Sequence, residues 1–447
     1  MYSPLKILMN WKLSLIKNSF RGLIYLLFFI SLFSPESNAQ DVHKIIEKES
    51  APDSVKYEEK PVTCPDNSLI RPDSSAKYYI ETARLYGDQG IYDTALLLIN
   101  TALRMDSSNY PARRERMIIL MIIENHTSSM EDAEKILSVI PDDLSAIYCL
   151  ATGLMNTGDN EKSKDQIRKG IELAPELPAF YSLMSKVLMQ QLSFMEGEMF
   201  INRAIELAPQ ETGNYLIKAE KDILSLTDPS VFQNNEYPPK FLSIRSLEIS
   251  SLDKLINNRK HPYYHKTLRD KFIENYRSLS LDEYFMFYFG QTKSDRYTPY
   301  ARNESHLADS IFSLVQRGFY NEAASLGSDY LKKNPSEISI YYHTGDAYLK
   351  AGNTEKAEEY LYKYQGLITS IIATGDGKSA ESAYLVISPS DEFTITQFFG
   401  YSVSQQALQD QNGHYFDILT TLNKAGEEKE IYFNIDKPFG SLSKRLR

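Results

Sequence analysis

The sequence predicts a mainly α fold: an α-solenoid followed by a helical module capped by a small antiparallel β-sheet. Three observations predict it. Small residues and prolines recur every 34 residues from position 76, helical apolar spacing continues to about 371, and the apolar period then falls to two. The chain has 447 residues, 42% hydrophobic and 24% charged, the composition of a folded protein of two or three domains. Its formal net charge of −10 argues against nucleic acid and against an anionic membrane surface as partners.

Lys6, Lys12, Lys17 and Arg21 precede an apolar run from Leu23 to Phe33, broken by Pro35. As a helix that run covers only about 16 Å, short of the ~30 Å hydrocarbon core. Ser37-Asn38-Ala39 follows with small residues where a signal peptidase needs them, so residues 1–39 read as a signal peptide cleaved after Ala39. The chain is then expected to be exported, periplasmic or secreted, with no stable membrane span after cleavage; the alternative is an uncleaved N-terminal anchor. Cleavage removes four basic residues and Glu36, leaving 45 Lys+Arg against 58 Asp+Glu, a net −13. Cys64 lies thirty-one residues beyond the apolar run, too far to be a lipidated first residue. Export permits a Cys64–Cys149 disulfide, but Cys149 falls in a helix expected to be packed, and two free thiols are predicted. Residues 40–75 are rich in Glu, Lys, Asp, Ser and Pro and read as a flexible tether.

Windows starting at 76, 110, 144 and 178 place Ala95, Ser129, Ser163 and Gly197 at position 20, and Ser107, Pro141, Pro175 and Pro209 at position 32. Two antiparallel helices approach closely only where a small side chain sits at their crossing, and proline ends the second helix of each unit. On these residues the segment 76–227 resembles an array of tetratricopeptide repeats. The third unit fits best, with Ala151, Gly158, Ile167, Gly170 and Pro175; the second fits worst, with Met117 and Ile136 where small residues belong. A second pair at 304–371 repeats Gly318/Gly352 and Ala323/Ala357, with Pro335 closing its first unit. Its offset of 228 from residue 76 is not a multiple of 34, so a separate array and an interrupted one both stay open.

Residues 228–251, with Pro229, Pro238 and Pro239, read as a connector. Helices are predicted over 247–258, 263–276 and 281–289, the last opening on a Ser280/Glu283 capping box and closing at Gly290. In the last segment, 380–440, Ala383–Ile387 reads as a strand. Phe416–Leu422 and Glu430–Ile435 read as a hairpin around 423–426, with Ile431, Phe433 and Ile435 on one face.

From about 252 to 440 the chain carries NRKHPYY (258–264), LDEYFMFYFG (281–290), YTPY (297–300), GDGKSAESAYLVIS (375–388) and IYFNIDKPF (431–439). With these motifs the module 252–447 resembles a bacterial family called domain of unknown function 4919. The resemblance implies an envelope protein of Gram-negative bacteria and brings no activity and no catalytic residues.

Five constellations bear on function. Position 12 of the four units reads Gly87, Met121, Met155 and Met189, and Tyr148 stands beside them. In tetratricopeptide folds this position tends to line the concave face, so Met121, Tyr148, Met155 and Met189 are the candidate partner-binding groove; the competing reading is packing between neighbouring first helices. GDGKS at 375–379 resembles the end of a phosphate-binding loop, but Ile372 stands where the pattern needs glycine, and a turn is expected. His261 and His265 are four apart, yet Pro262 interrupts the spacing and no third ligand follows; surface or packing roles are expected. Tyr263, Tyr264, Tyr276, Tyr284, Tyr288, Tyr297 and Tyr300, with Phe272, Phe285, Phe287 and Phe289, read as an aromatic core rather than a sugar platform, the more so because Trp11 is the only tryptophan. Finally, no serine nucleophile elbow, zinc-ligand cysteine pair or His-Glu-x-x-His motif occurs.

The expectation is an exported non-catalytic scaffold, without cofactor, that binds a protein or peptide in the cell envelope. The alternative is an envelope enzyme with its site in the aromatic-rich 252–440 module. A deep pocket with converging carboxylates would favour that alternative. A third reading is a structural protein that associates with itself.

Overall fold

In the computed structural model the described residues are 75–227, 249–300 and 303–445. The signal peptide, Cys64, nearly all of the 40–75 tether and most of the 228–251 connector lie outside them. By contact the chain divides into two units. One ends at Gln166 and includes 424–426; the other holds the remainder from Ile167. The division falls inside the third repeat, and the helix that follows Pro209 packs with elements far downstream.

The first unit contains α1 (Ala76–Asp88), α2 (Tyr92–Met105), α3 (Tyr110–Ile122), α4 (His126–Leu137), α5 (Leu144–Asn156) and the start of α6 (Asn160–Leu173). Successive helices pack in antiparallel pairs. Ala83, Ala95, Leu98 and Ala102 fill the seam between α1 and α2 at zero exposure. The predicted small residue at position 20 does more than make room. Ser129 Oγ donates to the Met117 carbonyl at 2.9 Å, and Ser163 Oγ donates to that of Ala151 at 2.8 Å. The oversized Met117 and Ile136 are accommodated in full, at 0% and 1% exposure, so the poorest unit keeps the register of its neighbours.

Each turn between paired helices requires a left-handed residue, and glycine supplies it at Gly90 and Gly158 (φ 76° and 87°). Exposed Glu124 holds the same conformation at φ 64°, at a cost of roughly 1–2 kcal/mol for a residue with a Cβ. Glu124→Gly should therefore stabilise the first unit by about 1 kcal/mol, read as a higher urea midpoint at unchanged slope.

The second unit continues with α7 (Pro178–Gln190), α8 (Phe194–Leu207) and α9 (Thr212–Ser225). Gly170 receives the Phe180 ring, which a Cβ there would meet at 2.3 Å. Except at Ile147, position 4 of a unit reaches back to the carbonyl at position 32 of the one before. Tyr181 donates to Pro175 and Tyr215 to Pro209, both at 2.9 Å, and Arg113 donates to Ser107. Tyr341 repeats the bond to Pro335 at 3.2 Å in the second pair, formed by α13 (Asn303–Gln316), α14 (Tyr320–Leu331), α15 (Ile338–Lys350) and α16 (Thr354–Ile372).

The two arrays meet at α9. This fifth first-helix packs against α16. Thr212 Oγ1 donates to Asp346 on α15 at 2.9 Å, and Lys218 pairs with Glu358 on α16 at 3.7 Å. Arg277 joins the same Glu358 at 2.7 Å and Asp222 at 3.8 Å. The end of the first array and the last pair of the second thus share one compact unit.

Around them stand α10 (Ile249–Asn257), α11 (His265–Glu274) and α12 (Leu281–Gly290). The Ser280/Glu283 capping box is present as expected. A four-stranded sheet follows in the order β1-β4-β3-β2, from β1 (Tyr384–Leu385), β2 (Ser402–Gln411), β3 (His414–Leu422) and β4 (Glu428–Asn434). The sheet is mixed where an antiparallel one was expected: Tyr384 pairs in parallel with Phe433. The long excursion between those strands, through α17 (Pro389–Phe398) and the β2–β3 hairpin, is the crossover a parallel pair needs. Ile431, Phe433 and Ile435 share a buried face at 2%, 0% and 3% exposure. The chain ends on α18 (Asp436–Arg445). The GDGKS segment is a turn folded onto β4, with Asp376 N and Gly377 N donating to the Ser382 carbonyl and Tyr432 N to that of Gly377.

Candidate functional site

The four residues nominated for the groove are packed inward. Met121, Tyr148 and Met155 in the first unit are 5%, 5% and 6% exposed, and Met189 in the second is 1% exposed. Tyr148 and Met155 belong to α5, whose residues are buried continuously from Ser145 to Gly153. Met130 of α4 lies so close over Gly153 that a Cβ there would meet it at 2.4 Å. Cys149, on the same helix, is a free and fully buried thiol whose pKa burial pushes up. The apolar side chains left in solvent on the repeats are others. Met195 and Met199, one turn apart on α8, are 86% and 72% exposed, and Leu192 just before them is 39% exposed.

The middle of the aromatic stretch, Phe272 and residues 284–289, is a filled core, whereas Tyr263, Tyr264, Tyr276 and Tyr297 are half-buried and Tyr300 is 42% exposed. Phe272 stacks on Phe287 with ring centres 3.9 Å apart, and Tyr284 meets Phe272 edge-on at 5.9 Å. Tyr284, Phe285, Phe287 and Tyr288 have no exposure at all. Lys363 of α16 lies over Phe272 and Tyr276 and pairs with Glu359 at 2.7 Å; burial lowers its pKa, and Glu359 opposes that. His261 Nδ1 accepts from Tyr263 N at 3.1 Å, while His265 opens α11. The described residues include no group of three His, Cys, Asp or Glu side chains that could hold a metal ion.

Beside this core is a cleft of about 200 Å³ between the 294–299 loop, the 333–337 turn and the start of α17. Its lining includes Ser294, Tyr297, Lys333, Glu337, Ser388 and Asp391. Two tyrosines of the family-like motifs hold its wall. Tyr288 Oη donates to Asp391 Oδ2 at 2.5 Å and accepts from Ile387 N at 2.8 Å, and Tyr297 Oη donates to the Ile387 carbonyl at 2.6 Å. Asp391 is thereby engaged, not open to a substrate.

The next residue, Glu392, is fully buried, and neither carboxyl oxygen makes a full hydrogen bond to a described residue. Burial, then the nearby Asp417 and Asp391, drive its pKa well above the usual carboxylate range. Burial also raises Asp417, against the amide of Gln406, which donates to it at 2.8 Å. Such a group holds its proton to higher pH than an exposed carboxylate does, and both its oxygens are shut off from solvent. Sequence reasoning missed this trio. Ser388-Pro389 followed by Asp391-Glu392 signals only a helix start, which α17 is.

A carboxyl raised on folding contributes stability that is complete below its unfolded pKa, near 4.5, and is lost as pH rises from there. Glu392→Gln should be close to wild type in urea at pH 4 and more stable at pH 8, the gap widening between them.

Residues 250–444 match the model of a family described as a domain of unknown function, DUF4919. The DUF4919 segment therefore runs from α10 to α18 and contains the second repeat pair, the cleft and the sheet. No curated protein matches this chain. Among solved structures it is similar to a tetratricopeptide repeat protein from Parabacteroides merdae, at 12% identity and TM-score 0.31, over 63% of this chain and 89% of that one. It is also similar to a thermophilic tetratricopeptide repeat protein of Thermus thermophilus (15%, TM-score 0.31, 34% and 83%). A third is MamA from Desulfovibrio magneticus (16%, TM-score 0.31, 34% and 85%). The DUF4919 segment's aromatic motifs, LDEYFMFYFG and YTPY, supply the core and the cleft wall respectively.

Proposed function

We propose that this chain is an exported, non-catalytic scaffold that holds a protein or peptide in the cell envelope on its helical repeats. The observation that carries the reading is where apolar surface is left uncovered. Among the described residues the large apolar side chains most exposed on any helix are Met195 and Met199, on a repeat, while in the C-terminal module Asp391 is engaged and Glu392 enclosed. Methionine is flexible and polarisable and suits surfaces that accept varied apolar side chains. Repeat stacks commonly serve as binding surfaces. Export rests on the basic and apolar N-terminus ending in Ser37-Asn38-Ala39. No helix among the described residues is long and apolar enough to cross a membrane.

Selection from a displayed peptide library tests this. The purified chain is expected to enrich peptides with apolar anchors, and a Met195→Lys/Met199→Lys variant to lose them at unchanged melting temperature. Enrichment that the double variant retains would place binding elsewhere, and no enrichment at all would count against peptide recognition.

A further inference from the structure

Among the described residues the β-sheet ends in an uncovered strand. β2 is last in the strand order, runs for ten residues and has no buried position. It is held along one side by β3, to which a two-residue turn at Asn412-Gly413 (φ 58° and 84°) joins it. That turn makes Gln411 and His414 a bonded pair, so the alternation of an antiparallel ladder turns the amides of Gln406, Leu408 and Asp410 outward. No described residue is hydrogen-bonded to this outer row of backbone groups.

Edge strands are usually blunted by lysine, proline or shortness. The sequence SVSQQALQDQ has neither residue. Its one irregularity, a bulge between Val403 and Gln405, sits at the end away from the turn. We propose that the outer edge of β2 is a self-association surface, on which a second copy of this chain adds its own β2 as an antiparallel strand.

Charge selects this occupant. Asp410 is the only charged residue in β2, so the edge offers nothing to draw in a charged peptide. Two copies related by a two-fold axis present the same edge to each other. With the axis at Gln406, Ala407 or Leu408, Asp410 faces Ser402, Ser404 or Gln406 of the other copy, a neutral residue each time. Leu408, 58% exposed, lies on the axis or within two residues of it and faces Leu408, Gln406 or Ser404 of the other copy. Gln405, Gln406 and Gln409 can add side-chain amide bonds across the pair.

Sedimentation velocity of the purified chain over a concentration series tests the proposal, with Leu408→Lys and Leu408→Pro alongside. Lysine sets like charges beside the axis. Proline removes an outward N–H while leaving the bonds to β3 intact. The expected result is a monomer–dimer equilibrium for wild type and monomer for both variants, at unchanged circular dichroism. A wild type that stays monomeric up to its solubility limit, or a dimer that survives Leu408→Lys, overturns the proposal. If the proline variant misfolds, the lysine variant decides alone.

Discussion

Replacing Asp132 by alanine is expected to destabilise the first unit by about 3–5 kcal/mol, the cost of removing one partner from a buried ion cluster. The Asp132 carboxylate is 1% exposed and binds two arginines of α3. Arg113 reaches it at 2.9 Å, and Arg116 grips both oxygens at 2.7 Å. The two guanidinium groups are themselves mostly covered, with 17% and 26% of their side chains exposed. Their other bonds, to the Ser107 carbonyl and to Asn100, tie the α1–α2 pair to α3. Alanine would leave both cations in place without the carboxylate that compensates them. Melting should fall by roughly 10 °C or more. The exposed Arg84–Glu115 pair is the comparison: Arg84→Ala should cost no more than about 1 kcal/mol.

Gly366→Val is expected to be as damaging in the second unit, at about 3 kcal/mol or more. Gly366 lies inside α16, where a Cβ would sit 2.4 Å from the ring of Tyr284. That ring cannot retreat. It has no exposure, packs edge-on against Phe272, and donates its hydroxyl to the Tyr276 carbonyl at 3.0 Å. The helix propensity that glycine forfeits, about 1 kcal/mol against alanine, does not offset such a clash. Near-ultraviolet circular dichroism, dominated by the tyrosine cluster, should collapse with the stability. Gly87→Ala in α1 should go the other way, since its Cβ would touch its nearest neighbours at an ordinary 3.9 Å.

Much of the fold was legible because each repeat imposes the same demands at the same positions. Small residues at the crossing, glycine in the left-handed turn and proline after the second helix each leave a mark every 34 residues. Glu124 and Leu192 hide the turn, since they occupy left-handed geometry without being glycine. The strand β2 was illegible for a different reason: with no buried residue it has no apolar alternation to read. The parallel pairing of β1 with β4 depends on residues 49 positions apart, Tyr384 and Phe433, and no local pattern carries it.

The candidate groove shows the same limit. A 34-residue spacing says that Met121, Met155 and Met189 occupy the same face of successive first helices. Whether neighbouring helices close over that face depends on packing, and here they do. The Glu392–Asp417 pair likewise joins the first turn of α17 to the middle of β3, and only the fold brings the two carboxyls together.

The most direct test of the scaffold reading is photo-crosslinking in cells from a probe at Met199, with a second probe at buried Met155. A dominant adduct between Met199 and one envelope protein, with none from Met155, is the predicted result. Adducts that form only from probes beside the cleft, at Ser294 or Ser336, with none from Met199, would contradict it and move the function to the C-terminal module.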